Sequence, residues 1–384
     1  MSGEDSRPLI AHVIHRLDVG GMENGLVNLI NYIPGDRYRH AVISLTDTTS
    51  FRERIRREDV EYYSLHKKPG HDWRLYLRLW RLFRRLRPAI VHTRNLASLE
   101  AVVPAALAGV PLRVHGEHGR DVQDIDGTKR KYQWLRRSLA PLVHRFIALS
   151  EDLESYLVNT VGVPPSKVVR IINGVDVGKF RPVARPSKEL VIGSVTRMQE
   201  VKDPLTLARA FVKLVSDGRA GTVRLAMIGD GPLLPQVADL LRAAGLEERV
   251  WLPGRRDDVA ELLQGFDVFS LSSRVEGISN TILEAMATGL PVVATRVGGN
   301  AELVEEGVTG ALVPPGSPDA LADALASYVD DPETRREQGR AARARAVHEF
   351  TMDGMVSRYL AVYDDLLYGA PQCVADGTSS SCAG

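Results

Sequence analysis

The 384-residue chain reads as an α/β protein of two doubly wound, Rossmann-like domains facing each other across a cleft. Three observations predict this. Short apolar runs alternate with helical periods along most of the length, one punctuated stretch near the middle interrupts them, and glycine turns follow several of the strands. The chain is too long for one ordinary core, and its 44% hydrophobic residues suffice for two.

In the first half, strand-like runs fall at 9–15, 40–45, 60–65, 89–93, 112–117, 145–149 and 168–172, with helical periods at 23–33, 73–86 and 97–108. Such alternation implies a parallel sheet covered on both faces. Residues 173–187 carry glycines and prolines that break every period and read as a linker, so the first domain is placed at 1–185. A second series, at 190–195, 223–228, 250–252, 268–272, 291–294 and 311–313 with helices between, gives a second domain at 186–350. A terminal helix follows within 351–368, and its periodicity alone leaves open which domain it joins. Residues 369–384 are rich in Ser, Gly and Ala and read as a disordered tail. They hold the only cysteines, Cys373 and Cys382, so no disulfide framework or cysteine metal site is expected.

A formal net charge of +1 gives no global pull toward nucleic acid, and none is expected as a partner. The start lacks the apolar core of a signal peptide, and the apolar run 101–112 is short and broken by Pro104, Gly109 and Pro111. A cytoplasmic protein is expected. Residues 73–88 form a basic amphipathic segment, with Tyr76, Leu79, Trp80, Phe83 and Leu86 on one stripe and Arg74, Arg78, Arg81 and Arg85 on another. A helix covering the sheet with a solvated outer face is the favoured reading; peripheral contact with the inner membrane surface competes with it.

The chemistry concentrates between Arg274 and Thr295. Strand 268–272 leads into a loop carrying Glu276, and Asn280 is expected to cap a helix over 281–288 that carries Glu284 one turn in. The free N–H groups near Gly277 would favour a diphosphate, and a carboxylate on each side would accept hydrogen bonds from paired hydroxyls, one set from a ribose and the other from a hexose. Glutamates eight apart are common, so the surroundings decide. Gly20 and Gly21 open a helix after the first strand, and His118 follows another strand, where its ring suits a sugar hydroxyl and Arg120 beside it suits a phosphate. Arg197 and Lys202 leave the first strand of the second half, where two cations would neutralise a leaving diphosphate without a metal; Asp203 caps the helix that starts at Pro204. Gly229-Asp230-Gly231-Pro232, Pro253-Gly254-Arg255 and Gly298-Gly299 repeat the strand-then-glycine arrangement. Asp124-Ile125-Asp126 has a metal-binding spacing but reads as surface acid, and neither metal nor cofactor is expected.

This set, with Asn173-Gly-Val-Asp176, resembles the retaining glycosyltransferases of family 4, which have the GT-B fold, over about residues 9–368. The resemblance implies that Glu284 holds ribose hydroxyls and that Glu276 with Gly277, Ile278 and Ser279 holds the donor sugar. It implies that Arg197 and Lys202 bind the diphosphate, and that Gly21, His118 and Asn280 belong to the catalytic cleft; the turns carrying Gly231 and Arg255 offer, by their strand-then-glycine pattern, backbone contacts suited to a base or a phosphate. It also implies that the terminal helix crosses back to the first domain. The reaction would move a hexose from a UDP- or GDP-sugar to a saccharide or lipid-linked acceptor, keep the anomeric configuration, and need no covalent nucleophile. His115-Gly-Glu-His118-Gly-Arg120-Asp121 and His92-Thr-Arg-Asn95 resemble sugar transferases of exopolysaccharide and PEP-CTERM loci. Glu276-Gly-Ile-Ser replaces the commoner Glu-Pro-Phe-Gly or Glu-Gly-Phe-Gly, which leaves donor preference open. A GT-B-like sugar-nucleotide epimerase and a non-catalytic nucleotide-sugar-binding protein are the alternatives.

Overall fold

The structure is a computed structural model that describes residues 5–120, 124, 126–184, 189–218, 221 and 223–369. The expected tail with Cys373 and Cys382, Asp121, and the boundary expected between 185 and 186 lie outside these residues. In chain order the first half runs β1 (Leu9–Ile14), α1 (Gly21–Tyr32), β2 (Arg39–Ser44), β3 (Val60–Ser64), α2 (Trp73–Leu86), β4 (Ile90–Arg94), α3 (Leu96–Leu99), α4 (Val102–Leu107), β5 (Leu112–Glu117), α5 (Arg130–Leu139), β6 (Arg145–Ala148), α6 (Glu151–Ser155) and β7 (Val168–Arg170). The second half runs β8 (Leu190–Val195), α7 (Pro204–Ser216), β9 (Val223–Ile228), α8 (Leu234–Ala243), β10 (Val250–Trp251), α9 (Val259–Leu263), β11 (Val268–Leu271), α10 (Asn280–Thr288), β12 (Val292–Thr295), α11 (Asn300–Leu303), β13 (Gly310–Val313), α12 (Pro318–Asp330), α13 (Pro332–Glu349) and α14 (Met352–Tyr368).

Two parallel sheets result, ordered β3-β2-β1-β4-β5-β6-β7 and β10-β9-β8-β11-β12-β13. Strand order reverses beside β1 in one and beside β8 in the other, so crevices open at the C-terminal ends of these strands. Alternation along β1 and β4 divides the first core. Ile10 and Ile90 face α1 and α14, whereas Ala11, Val13 and Val91 face α2 and α4. In the second half, α7, α8 and α12 cover one face, and α9, α10 and α13 the other.

The terminal helix α14 packs on the first sheet, burying Met355, Tyr359 and Tyr363 beside Ile10, Leu29 and Ile147. The two chain crossings between the sheets run side by side. Val175 N–H donates to Phe350 O at 2.8 Å and Met352 N–H to Val175 O at 3.2 Å, and Arg343 donates to the carbonyls of Phe180, Val177 and Ala287.

Three local expectations are corrected. The predicted helix at 97–108 is split into α3 and α4, because Pro104 has no N–H to give the carbonyl of Glu100. The cap of α10 is Ser279, whose Oγ accepts from Ile282 N–H at 3.3 Å, and Asn280 is the first helical residue. Helix α2 is rotated from the expected stripe: it buries Leu75, Leu79, Leu82 and Phe83 and leaves Trp73, Leu77 and Trp80 exposed. Among the described residues no helix is long and apolar enough to cross a membrane.

Candidate functional site

Two loops of the second sheet, 196–203 after β8 and 272–279 after β11, are fastened together. Arg274 N–H donates to Val201 O at 2.9 Å, Arg274 Nε to Asp203 Oδ2 at 3.0 Å, and Ser272 Oγ to Asp203 O at 2.7 Å. Asp203 stands at the N-cap position of α7 with φ +43, Pro204 follows as first helical residue, and the Asp203 carboxylate accepts from Thr206 Oγ1 at 2.9 Å. This fastening brings Lys202 to Glu276. Glu276 is 8% exposed, and its Oε1 accepts from Lys202 Nζ at 2.5 Å and from Ser273 Oγ at 2.7 Å. Thr295 Oγ1 donates to Ser273 O at 2.6 Å, and Gly299 N–H to Gly277 O at 3.0 Å, so the Gly298-Gly299 turn supports the loop from below.

Glu284 lies one turn into α10, partly buried, and burial raises its carboxyl to about 7 against the opposing pull of Lys179 and Arg54. Arg197 is exposed at the end of β8. It acts across the cleft on Glu23 of α1, whose carboxyl is raised by burial while Arg197 draws it down. Gly231 has φ +152 and a Cβ there would stand 2.5 Å from Met198 O, so the 229–233 turn packs directly on the Arg197 loop. Arg255 is exposed and its ion pair, at 3.8 Å, is with Asp257.

The first-domain loops close over this loop pair. A Cβ on Gly277 would lie 2.5 Å from His118 O and 3.0 Å from Gly119 Cα, so only glycine fits where the loops meet. Asn280 Nδ2 donates to Gly21 O at 3.3 Å, and its Oδ1 accepts from Asn173 Nδ2 at 2.8 Å, tying the start of α10 to the start of α1. What His118 presents to Gly277 is its backbone. Its imidazole turns inward, both ring nitrogens are buried without a partner, and burial lowers it to about 3, so it is neutral at physiological pH. His118 N–H donates to Asn95 Oδ1 at 2.7 Å.

Two polar expectations change. Arg120 is not free for a phosphate: it pairs with Asp152 at 3.0 Å and lies 4.6 Å over the Tyr156 ring. Asp124 is not surface acid but 5% exposed, accepting from Lys129 N–H at 2.9 Å, while Asp126 is exposed. Among the described residues no group of three or more His, Cys, Asp or Glu is placed to hold a metal ion.

Sequence reasoning missed Ser273, Asn95 and the linking role of Asn173. Each ends or follows a strand and holds a neighbouring loop, and a polar residue directly after an apolar strand was the available signal. A helix start with a lysine alongside is, on electrostatic grounds, a place where an anion is stabilised.

Comparisons with known proteins agree with this geometry. Residues 19–179 match the model of Glycosyltransferase Family 4, and residues 189–331 that of Glycosyl transferases group 1. The chain is 29% identical over 314 residues to the UDP-Gal:alpha-D-GlcNAc-diphosphoundecaprenol alpha-1,3-galactosyltransferase of Escherichia coli, covering 77% of this chain and 80% of that one. It is 31% identical over 309 residues to a D-inositol 3-phosphate glycosyltransferase of Thermobifida fusca, covering 73% and 70%. Among solved structures, a glycosyltransferase of Rickettsia africae superposes with TM-score 0.82 at 21% identity, covering 95% of this chain and 100% of that one. Anabaena HepE in complex with UDP and glucose gives 0.79 at 21% identity, covering 93% and 99%. With two domain models matched in sequence, a relative above 30% identity and the same double sheet, the chain belongs to the family 4, group 1 glycosyltransferases of the GT-B fold.

Proposed function

We propose that the protein is a retaining hexosyltransferase, transferring a hexose from a UDP- or GDP-sugar to a hydroxyl of a saccharide or lipid-linked acceptor in cell-surface glycan synthesis. The observation that carries this is the Lys202–Glu276 pair set against the Ser279-capped start of α10. In this reading the donor diphosphate lies over the N–H groups of 277–281, with Arg197 and Lys202 neutralising its charge. Glu284 accepts from the ribose hydroxyls, and Glu276 with Gly277, Ile278 and Ser279 orients the hexose. Gly231 and Arg255 lie toward the base and phosphates. The UDP and glucose bound in the Anabaena relative, and the UDP-Gal in the name of the Escherichia coli one, support such a donor.

The bond from the anomeric carbon to the leaving phosphate oxygen breaks as the acceptor oxygen attacks the same face. The acceptor proton passes to the departing phosphate oxygen, so no protein nucleophile and no metal is required, and the chain contributes positioning and charge stabilisation. Gly21 and the His118 backbone shape the acceptor side. A cytoplasmic enzyme touching the inner membrane surface fits α2, where exposed Trp73, Leu77 and Trp80 sit among Arg74, Arg81 and Arg84 and residues 73–99 contain no acid.

The test is single-turnover transfer by Arg197→Ala and Lys202→Ala. Each should lose about 10²- to 10³-fold, the effect of removing one preorganised charge-stabilising donor. Near-normal rates in both would end the proposal.

A further inference from the structure

At the C-terminal ends of β1, β4 and β5 lies a cavity of about 160 Å³, lined by His15, Met22, Arg94, Asn95, Gly119 and Arg120 among others, with no carboxylate among the described residues of its wall. Its floor is unusual. Arg94 is 1% exposed, yet among the described residues no carboxylate pairs with it. By contrast Arg136, equally deep on the other face of the sheet, pairs with Glu117 at 2.5 Å.

The hydrogen-bond directions around Arg94 are determined. A guanidinium only donates, so His12 Nδ1 accepts from Arg94 Nη1 at 3.1 Å. His12 Nε2 must then carry the proton and donate to His40 Nδ1 at 3.0 Å. Tyr363 Oη stands 2.7 Å from His92 Nδ1 and Arg94 Nη2 3.5 Å from it, so this nitrogen too accepts and the proton sits on Nε2. The groups that Arg94 and His92 leave over are therefore donors. Arg94 Nε–H and His92 Nε2–H are buried without acceptors. His92 Nε2 and the His118 ring both lie over the bare Cα of Gly116, so the unpartnered imidazoles cluster on one spot. Beside it Asn95 takes φ +57, a conformation rare outside glycine, with its Oδ1 held by His118 N–H. A buried cation with a donor to spare and, among the described residues, no acid beside it calls for an anionic acceptor.

We infer that this cavity is an anion subsite, and that the acceptor carries a phosphate or carboxylate group which pairs with the Arg94 guanidinium in its wall. The inference rests on assigning the first-domain side of the cleft to the acceptor, and it narrows that acceptor from any hydroxyl compound to an anionic one. Arg94 acts in binding and positioning and does not touch the reacting bond.

The experiment uses the full chain saturated with UDP, so that the donor side is occupied, and titrates inorganic phosphate, succinate and glycerol at constant ionic strength while following thermal stability. Phosphate or succinate should raise the melting temperature saturably, and whichever does so names the anion class; glycerol should not. Arg94→Gln, which keeps hydrogen-bonding capacity but loses the charge, should weaken that response about tenfold or more while UDP affinity stays unchanged. No saturable response to either anion, or an equal response in Arg94→Gln, overturns the inference. If Arg94→Gln fails to fold, wild-type crystals soaked in selenate decide: an anomalous peak against Arg94 supports the subsite, and its absence there overturns it. UDP binding in the same samples reports separately on the donor assignment.

Discussion

Glu284 offers a test in which pH reports on ligand contact. Burial carries its carboxyl from 4.5 to about 7. The folded value lies above the unfolded one, so the fold resists ionisation. The resulting loss of stability is absent below pH 4.5, grows through the window and is complete above about pH 7, where it reaches about 3 kcal/mol at 1.4 kcal/mol per pH unit. Glu284→Gln should therefore be as stable as the wild type near pH 4.5 and more stable by up to about 3 kcal/mol near pH 8. Donor binding should reverse this. Two ribose hydroxyls donating to the carboxylate need it ionised, so binding must expel its proton. Calorimetry with a UDP-sugar, whose diphosphate diester does not titrate in this range, in buffers of different ionisation heat measures the expelled protons. About one proton should leave at pH 6, about half at pH 7 and almost none at pH 8.5, with none from Glu284→Gln at any pH. The Gln variant should also bind about 10- to 100-fold more weakly at pH 8, for loss of charged hydrogen bonds. Proton release that is absent, or unchanged in Glu284→Gln, would refute the ribose contact.

Two further outcomes concern the loop junction and the outer surface. Gly277→Ala places a methyl 2.5 Å from His118 O, so the facing loops must separate; transfer should fall by about 10²-fold with the melting temperature nearly unchanged, and wild-type turnover would show that close approach is dispensable. Vesicles containing phosphatidylglycerol should sediment the protein at low salt and release it at about 0.5 M salt, and replacing Trp73, Leu77 and Trp80 by Ser should abolish the binding without changing donor hydrolysis. Wild-type protein left in the supernatant at low salt would remove membrane contact from the account.

Much of the double-sheet architecture was legible because buried parallel strands are nearly all apolar and glycines follow them, so strand positions were read to within a residue or two. The rotation of α2 was not, since 75-79-82-83 and 76-79-80-83 both fit a helical period, and only the sheet beneath decides which stripe is buried. Adjacent Ser279 and Asn280 are both good caps, and Asn280 is drawn away by Gly21 and Asn173, distant in sequence. The meeting of Lys202 with Glu276 was approachable, because each follows a central strand of one sheet. Arg94 was not: a strand-end arginine reads as exposed, and its burial depends on residues 12, 92 and 363 converging.

The most direct measurement is the anomeric configuration of the product by proton NMR, with the protein supplied with a panel of UDP- and GDP-sugars and an acceptor. At least one donor should yield nucleoside diphosphate and a glycoside with the donor's own anomeric configuration. An inverted product, or no transfer from any donor by a folded, nucleotide-binding protein, would contradict it.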